Sequence, residues 1–204
     1  MKILIACEES QVITTEYRKL RLEAYSCDLQ DTSGQYPEYH IKDDAIKVLY
    51  RKIWDLVIAH PPCTKLCNSG VRWIKERNLW KELEEATQFF NKFVEYAKKG
   101  NRIVIENPIP HKYAKIPKYS QLIQPYQFVE TESKATCLWL YRLNKLIPTK
   151  IMQERNQNTY LQSPGPERNK LRSKTFKEIA QSMANQWNDL NENNTNKQFE
   201  IQFK

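Results

Sequence analysis

Apolar residues along this chain fall into short unbroken runs separated by stretches of helical spacing. Residues 2–6 (KILIA) form a run of the kind shown by a strand covered on both faces, and 24–28, 55–60, 102–105 and 136–141 repeat it. A further strand is expected at 127–130. Val12, Ile13, Tyr17 and Leu20 recur at helical spacing across 10–20, and Asp44 is placed to cap a short helix running to about residue 52. The longest periodic stretch, 73–99, sets Leu79, Leu83, Ala86, Phe90, Phe93 and Ala97 on one side and stops at Gly100. A last helix is expected over 173–189, with Phe176, Ile179, Ala180, Met183 and Trp187 inward. Strands alternating with helices predict an α/β fold, a Rossmann-like doubly wound parallel sheet with helices on both faces. Residues 1–190 read as one domain without internal repeats, and 191–204 as a polar, frayed tail.

In such a sheet ligands bind outside the carboxyl ends of the strands, so polar residues just after apolar runs are the candidates for chemistry. Four places qualify: Glu8-Glu9-Ser10, Asp28, His60-Pro61-Pro62-Cys63 and Glu106-Asn107-Pro108. Asp28 ends the second run, where a carboxylate can accept two hydrogen bonds from a ribose diol. The first turn reads Cys7-Glu8-Glu9-Ser10 and lacks the glycines of a pyrophosphate loop; acids there repel phosphates but tolerate a cationic cofactor. Two prolines fix the backbone ahead of Cys63, which holds its thiol at the mouth of the sheet as a candidate covalent nucleophile. His60, Cys63 and Cys67 are donor types that zinc accepts, but no second pair at finger-like spacing follows, so no metal is expected.

Composition narrows the class. With 40% hydrophobic and 27% charged residues in 204, the chain has the makeup of a globular domain. No run of about 18 apolar residues exists, so no membrane partner is expected. The opening MKILIACEES turns polar too early for a secretory signal, and five cysteines without such a signal imply reduced thiols in a cytoplasmic compartment. The net charge of +8 suits a polyanion, of which nucleic acid is the commonest.

Taken together, these residues resemble a known family. Asp55 to Thr64 (DLVIAHPPCT) looks like the Pro-Pro-Cys motif of DNA cytosine methyltransferases that form 5-methylcytosine, and Ile105-Glu106-Asn107-Pro108 resembles their Glu-Asn-Val motif with proline for valine. Order and spacing agree over roughly the first 110 residues, in which Ala6 to Ser10 and Tyr25 to Asp28 stand at the first cofactor motif and its ribose-binding acid. Short phage-borne methyltransferase-like proteins resemble the chain still more, with similar Cys-Glu-Glu-Ser, Tyr-Ser-Cys-Asp and Thr-Cys-Leu-Trp-Leu segments, and a phage protein's compartment would be its host's cytoplasm.

The resemblance implies S-adenosylmethionine as cofactor, held by Glu8, Glu9, Ser10, Asp28 and Asp44 with His60 and Pro61 beside it. It implies Cys63 as the nucleophile on carbon 6 of cytosine and Glu106 as the group bonding ring nitrogen 3 and the exocyclic amine. Pro62, Thr64, Asn107 and Pro108 would then flank the DNA substrate. Three departures stand out: the glycine-free first motif, Thr64 in place of the usual glutamine, and a stretch between Tyr141 and Arg172 too short for a target-recognition domain. That stretch is basic, so Arg142 and Arg172 are candidates for phosphate contact, with Arg142 standing in for a missing Gln-x-Arg-x-Arg motif. Little intrinsic sequence recognition follows, and a separate recognition partner is one remedy. Two other readings fit: a non-catalytic nucleic-acid-binding or partner protein of the same fold, and a cysteine enzyme acting on free pyrimidine nucleotides.

Overall fold

The computed structural model describes residues 1–163, 165 and 168–188, of which 160 and 169–171 are described by backbone alone. The expected polar tail, 191–204, lies outside the described residues. Seven strands form one sheet: β1 (Lys2–Ala6), β2 (Glu23–Asp28), β3 (His40–Lys42), β4 (Leu56–Ala59), β5 (Ile103–Pro108), β6 (Gln121–Ile123) and β7 (Thr136–Tyr141). Their spatial order is β3-β2-β1-β4-β5-β7-β6. The helices are α1 (Val12–Lys19), α2 (Ala45–Arg51), α3 (Val71–Glu76), α4 (Trp80–Lys98), α5 (Asn158–Leu161), α6 (Arg168–Ser173) and α7 (Lys177–Gln186).

The unbroken apolar runs of β1 and β4 exist because both faces are covered. Leu4, Ala6, Val57 and Ala59 pack under α2 and α4, whereas Ile3, Ile5, Leu56 and Ile58 pack under α1 and α7. The tyrosine hydroxyl of Tyr17 on α1 donates to the Met183 carbonyl of α7 at 3.0 Å, locking the second layer. This is the doubly wound, Rossmann-like α/β fold that the alternation of strands and helices predicts.

Three differences matter. The expected helix over 73–99 is two helices, because Asn78 between them takes a left-handed backbone (φ 51°), which asparagine tolerates better than most residues. The expected strand at 127–130 does not form: 125–127 is a 3₁₀ turn and Val129 sits at φ 72°, outside any strand conformation. The sheet is also mixed, since β7 runs antiparallel to both β5 and β6. Its amino end therefore lies beside the carboxyl ends of β4 and β5.

Trp139 in the middle of β7 is 1% exposed, stands edge-on to Phe90 of α4 with ring centres 5.0 Å apart, and donates its indole N–H to the Pro117 carbonyl at 2.7 Å. Trp139→Ala is expected to lower unfolding free energy by about 3–5 kcal/mol in chemical denaturation, from the cavity and the orphaned carbonyl.

Candidate active site

β4 lies between β1 and β5, with Ala59 opposite both Ala6 and Ile105, so the chain leaving β4 emerges at the middle of the sheet's carboxyl edge. Continuing that register puts His60 opposite Glu106, and their side chains meet, Nδ1 to Oε2, at 3.0 Å. Asn107, buried in β5, donates its amide to the Pro61 carbonyl at 2.7 Å. The two strand tips are thus tied together through the proline pair, while Pro62 and Thr64 stay exposed at the mouth.

After Cys63 the chain closes a turn, with the N–H groups of Leu66 and Cys67 donating to the Cys63 carbonyl at 2.9 and 3.0 Å. The four-residue offset sets the thiols of Cys63 and Cys67 near enough to bear on each other's titration. The two thiols titrate together, and their surroundings favour the charge on Cys67. Cys67 is held well below the usual thiol range because Cys63 donates to it, joined by the Ser69 hydroxyl and the backbone N–H groups of Ser69 and Gly70. Cys63 is pushed up by the same bond, by burial, and by the charges of Cys67 and Glu106, against a pull from Lys134.

Glu106 is 19% exposed at its side chain. Burial alone would raise its carboxyl, but the bond to His60, the charge of that ring and the charge of Lys134 outweigh burial and hold it below the ordinary carboxylate range. It is therefore ionised at neutral pH. Lys134, mostly buried, is lowered by desolvation, with Glu106 and Cys63 pulling the other way. Its ammonium donates to the carbonyls of Arg172 at 2.7 Å and Lys174 at 3.3 Å. A small cavity of about 20 Å³, open to solvent, adjoins this cluster and is lined by Glu106, Lys134, Thr136, Phe176, Ile179 and Met183. Cys63 is not among its described walls; Glu106 and Lys134 are the charged groups that bear both on the thiol and on the cavity.

A second cluster lies at the tips of β1 to β3. Cys7 and Gln11 adopt left-handed backbones (φ 61° and 54°), the conformation glycine would take most easily, so the loop makes its turns without glycine. Burial comes first in pushing the Cys7 thiol up, and the carboxylates of Asp28 and Asp44 add to it, so all three groups are neighbours. Asp28 accepts from Gln30 N–H, and Asp44 caps α2 through Oδ1, accepting from Ile46 and Lys47 N–H. Glu8 is turned inward: its carboxylate accepts from Ile13 N–H and the Thr14 hydroxyl, each at 2.6 Å, capping the start of α1. Glu9 and Ser10 remain half-buried in the loop.

Of the residues singled out from sequence, Cys63, Glu106, His60, Pro61, Asn107 and Arg172 converge on one region, and Asp28 and Asp44 on the second. Pro108 is paired with Thr136 in the sheet. Arg142 is not brought to either: it follows the reversed strand β7 and donates to the Gly100 carbonyl at the opposite edge of the sheet. His60 is turned onto Glu106, and among the described residues no three His, Cys, Asp or Glu side chains group as a metal site.

Gly70 controls the cysteine turn. A Cβ there would run into the Thr64 carbonyl oxygen, a backbone atom with little freedom to yield. Gly70→Ala is expected to cost about 1–3 kcal/mol in denaturant melts and to change the rate at which iodoacetamide alkylates Cys63.

No protein-family model and no curated protein matches the chain. Among solved structures, the Entamoeba histolytica methyltransferase EhMeth is similar over 82% of this chain and 61% of its own, at 13% identity and a TM-score of 0.43. The chain thus spans about 61% of that relative's length, a likeness too distant to transfer residue roles.

Proposed function

We propose that this chain is an S-adenosylmethionine-dependent methyltransferase acting on carbon 5 of cytosine in nucleic acid, through a covalent adduct with Cys63. The observation that supports the reading is the convergence of the Pro-Pro-Cys thiol and the Glu-Asn-Pro carboxylate at two paired strand tips, with a small cavity bordering Glu106. Asp28 and Asp44 suit a cofactor with ribose hydroxyls and a positive sulfur, and the left-handed backbone at Cys7 and Gln11 gives the tight loop such a cofactor needs. Glu8 is taken up in capping α1, which leaves Glu9 and Ser10 as the loop residues this reading assigns to the cofactor.

The chain's own groups account for the substrate steps. The sulfur of Cys63 bonds to carbon 6 as its proton passes to the thiolate of Cys67, and the ring electron pair moves toward carbon 5. Ionised Glu106 accepts from the exocyclic amine and from ring nitrogen 3 once that nitrogen has taken a proton from solvent, so the protonated ring can receive the electron pair as the sulfur adds, and the proton returns to solvent when the adduct breaks down. Bound S-adenosylmethionine supplies the methyl group that the electron-rich carbon 5 takes. Loss of the carbon-5 proton to a base then lets the sulfur–carbon bond break, and Cys63 recovers its proton from Cys67.

The test uses labelled cofactor with duplex DNA, single strands, RNA and cytidine nucleotides in separate reactions. Label on the cytosine of at least one is expected. Cofactor binding by calorimetry without label on any of them would leave the non-catalytic reading in its place.

A further inference from the structure

Two segments leave the paired tips of β4 and β5 and are stitched to each other. Asn68 N–H donates to the Ile109 carbonyl at 3.1 Å, His111 N–H to the Leu66 carbonyl at 2.9 Å, and the His111 ring meets the Lys65 carbonyl at 2.8 Å. The surface they build is basic and aromatic. Arg72, Lys75 and Arg77 are exposed on the first segment and Lys112, Lys115 and Lys118 on the second. Over 65–77 and 109–118 the sole acid is Glu76, and no Asp or Glu occurs from residue 107 to 129. This concentration exceeds what a net charge of +8 spread over the chain would place there.

Aromatic rings are interleaved with these charges. Trp80 and Tyr113 are 44% and 41% exposed, although large rings usually bury most of their surface, and they meet edge-on across the two segments with centres 5.5 Å apart. The guanidiniums of Arg72 and Arg77 each lie 4.1 Å from the Trp73 ring centre, and Lys112 lies 5.1 Å from that of Tyr113. None of these side chains is needed to complete either core layer.

We propose that this surface, beside the Cys63 turn, is a docking track for single-stranded nucleic acid, with the lysines and arginines on phosphates and Trp80 and Tyr113 stacking on unpaired bases. Exposed ring faces suit bases freed from a duplex, because a paired base keeps its faces within the helical stack. An unpaired cytosine also reaches the site without the unstacking cost of a flipped one, so this short chain needs no element to fill the gap a flipped base leaves. The proposal rests on the reading of the chain as a nucleic-acid-modifying enzyme, and it names the form of the substrate and the surface that carries it.

The experiment is fluorescence anisotropy of labelled 20-nucleotide single-stranded DNA, its RNA counterpart and the DNA duplex, titrated with the whole protein across a salt series without cofactor. Single strands are expected to bind at least tenfold more tightly than duplex, with the DNA and RNA arms showing which sugar is preferred. Lys112→Ala/Lys115→Ala/Lys118→Ala should reduce the log–log salt slope by roughly two units, at about 0.7 per phosphate contact. Trp80→Ala/Tyr113→Ala should weaken single-strand binding at least tenfold and leave the salt slope unchanged. Thermal melts would verify that both variants fold. Duplex bound as tightly as single strands overturns the proposal. So does loss of binding on neutralising Lys145, Lys150 and Arg155 while these six cations stay intact, and so does no binding at all. Because binding is read without turnover, such failures leave methyl transfer to free cytidine nucleotides open to its own assay.

Discussion

Cys63→Ser should abolish methyl transfer while leaving S-adenosylmethionine affinity within about twofold. The expected loss in turnover is on the order of 10⁴-fold or more, the scale seen when a covalent nucleophile is removed from an otherwise intact site. A serine hydroxyl is a far weaker nucleophile than a thiolate. The residues proposed to hold the cofactor are spared because Asp28 ends β2 and Asp44 caps α2, away from the β4 tip. An oligonucleotide carrying 5-fluorocytosine sharpens the test, since fluorine at carbon 5 blocks the final elimination and traps the adduct. Mass spectrometry should place the adduct on Cys63 in the native protein and find none in Cys63→Ser. Cys67→Ala should still form it, because the attacking sulfur is untouched. An adduct mapped to Cys67 would move the nucleophile one turn along the chain and overturn the assignment.

The parallel half of this fold was legible because burial on both faces leaves unbroken apolar runs, and polar residues just beyond them mark the functional edge. That logic points to Cys63, Glu106 and Asp28 as candidates, whereas Asp44 stands out as a helix cap. It failed where its premise of an all-parallel sheet failed. In the reversed strand β7, the residue nearest the site precedes the strand instead of following it. Lys134, which bears on both Cys63 and Glu106, was therefore overlooked, and Arg142 was favoured although it lies at the far edge. One signal was available: a lysine two residues ahead of a buried strand, TCLWLY, that is apolar on both faces. Cys67 was weighed only as a zinc donor, since pairing of thiols across a turn depends on side-chain geometry that spacing alone leaves undecided. The role of Glu8 was equally hidden. A carboxylate two residues after a strand can face a ligand or cap the next helix, and the backbone path through Cys7 and Gln11 turns it to the cap.

Glu106→Gln separates charge from shape at the second functional group. Glutamine keeps the volume and an oxygen able to face His60, but it carries no charge to stabilise a proton taken up by ring nitrogen 3. Transfer is expected to fall roughly 10²- to 10³-fold, the usual cost of losing one group aimed at developing charge. Adduct formation on 5-fluorocytosine should slow in parallel, because the defect lies in the addition step. Stability should respond to pH with a definite sign. The Glu106 carboxyl is held below its ordinary range in the folded chain. Its ionised form therefore adds stability that is fully present above about pH 4.3, where the unfolded carboxyl is ionised. That stability is lost as pH falls through the lower folded value. Thermal melts of the native and Gln chains should consequently differ most near neutral pH and draw together in acid. A difference that stayed constant down to pH 3 would mean that His60 and Lys134 do not hold this carboxylate charged. The protonated ring nitrogen formed in the addition step would then lack its counter-charge.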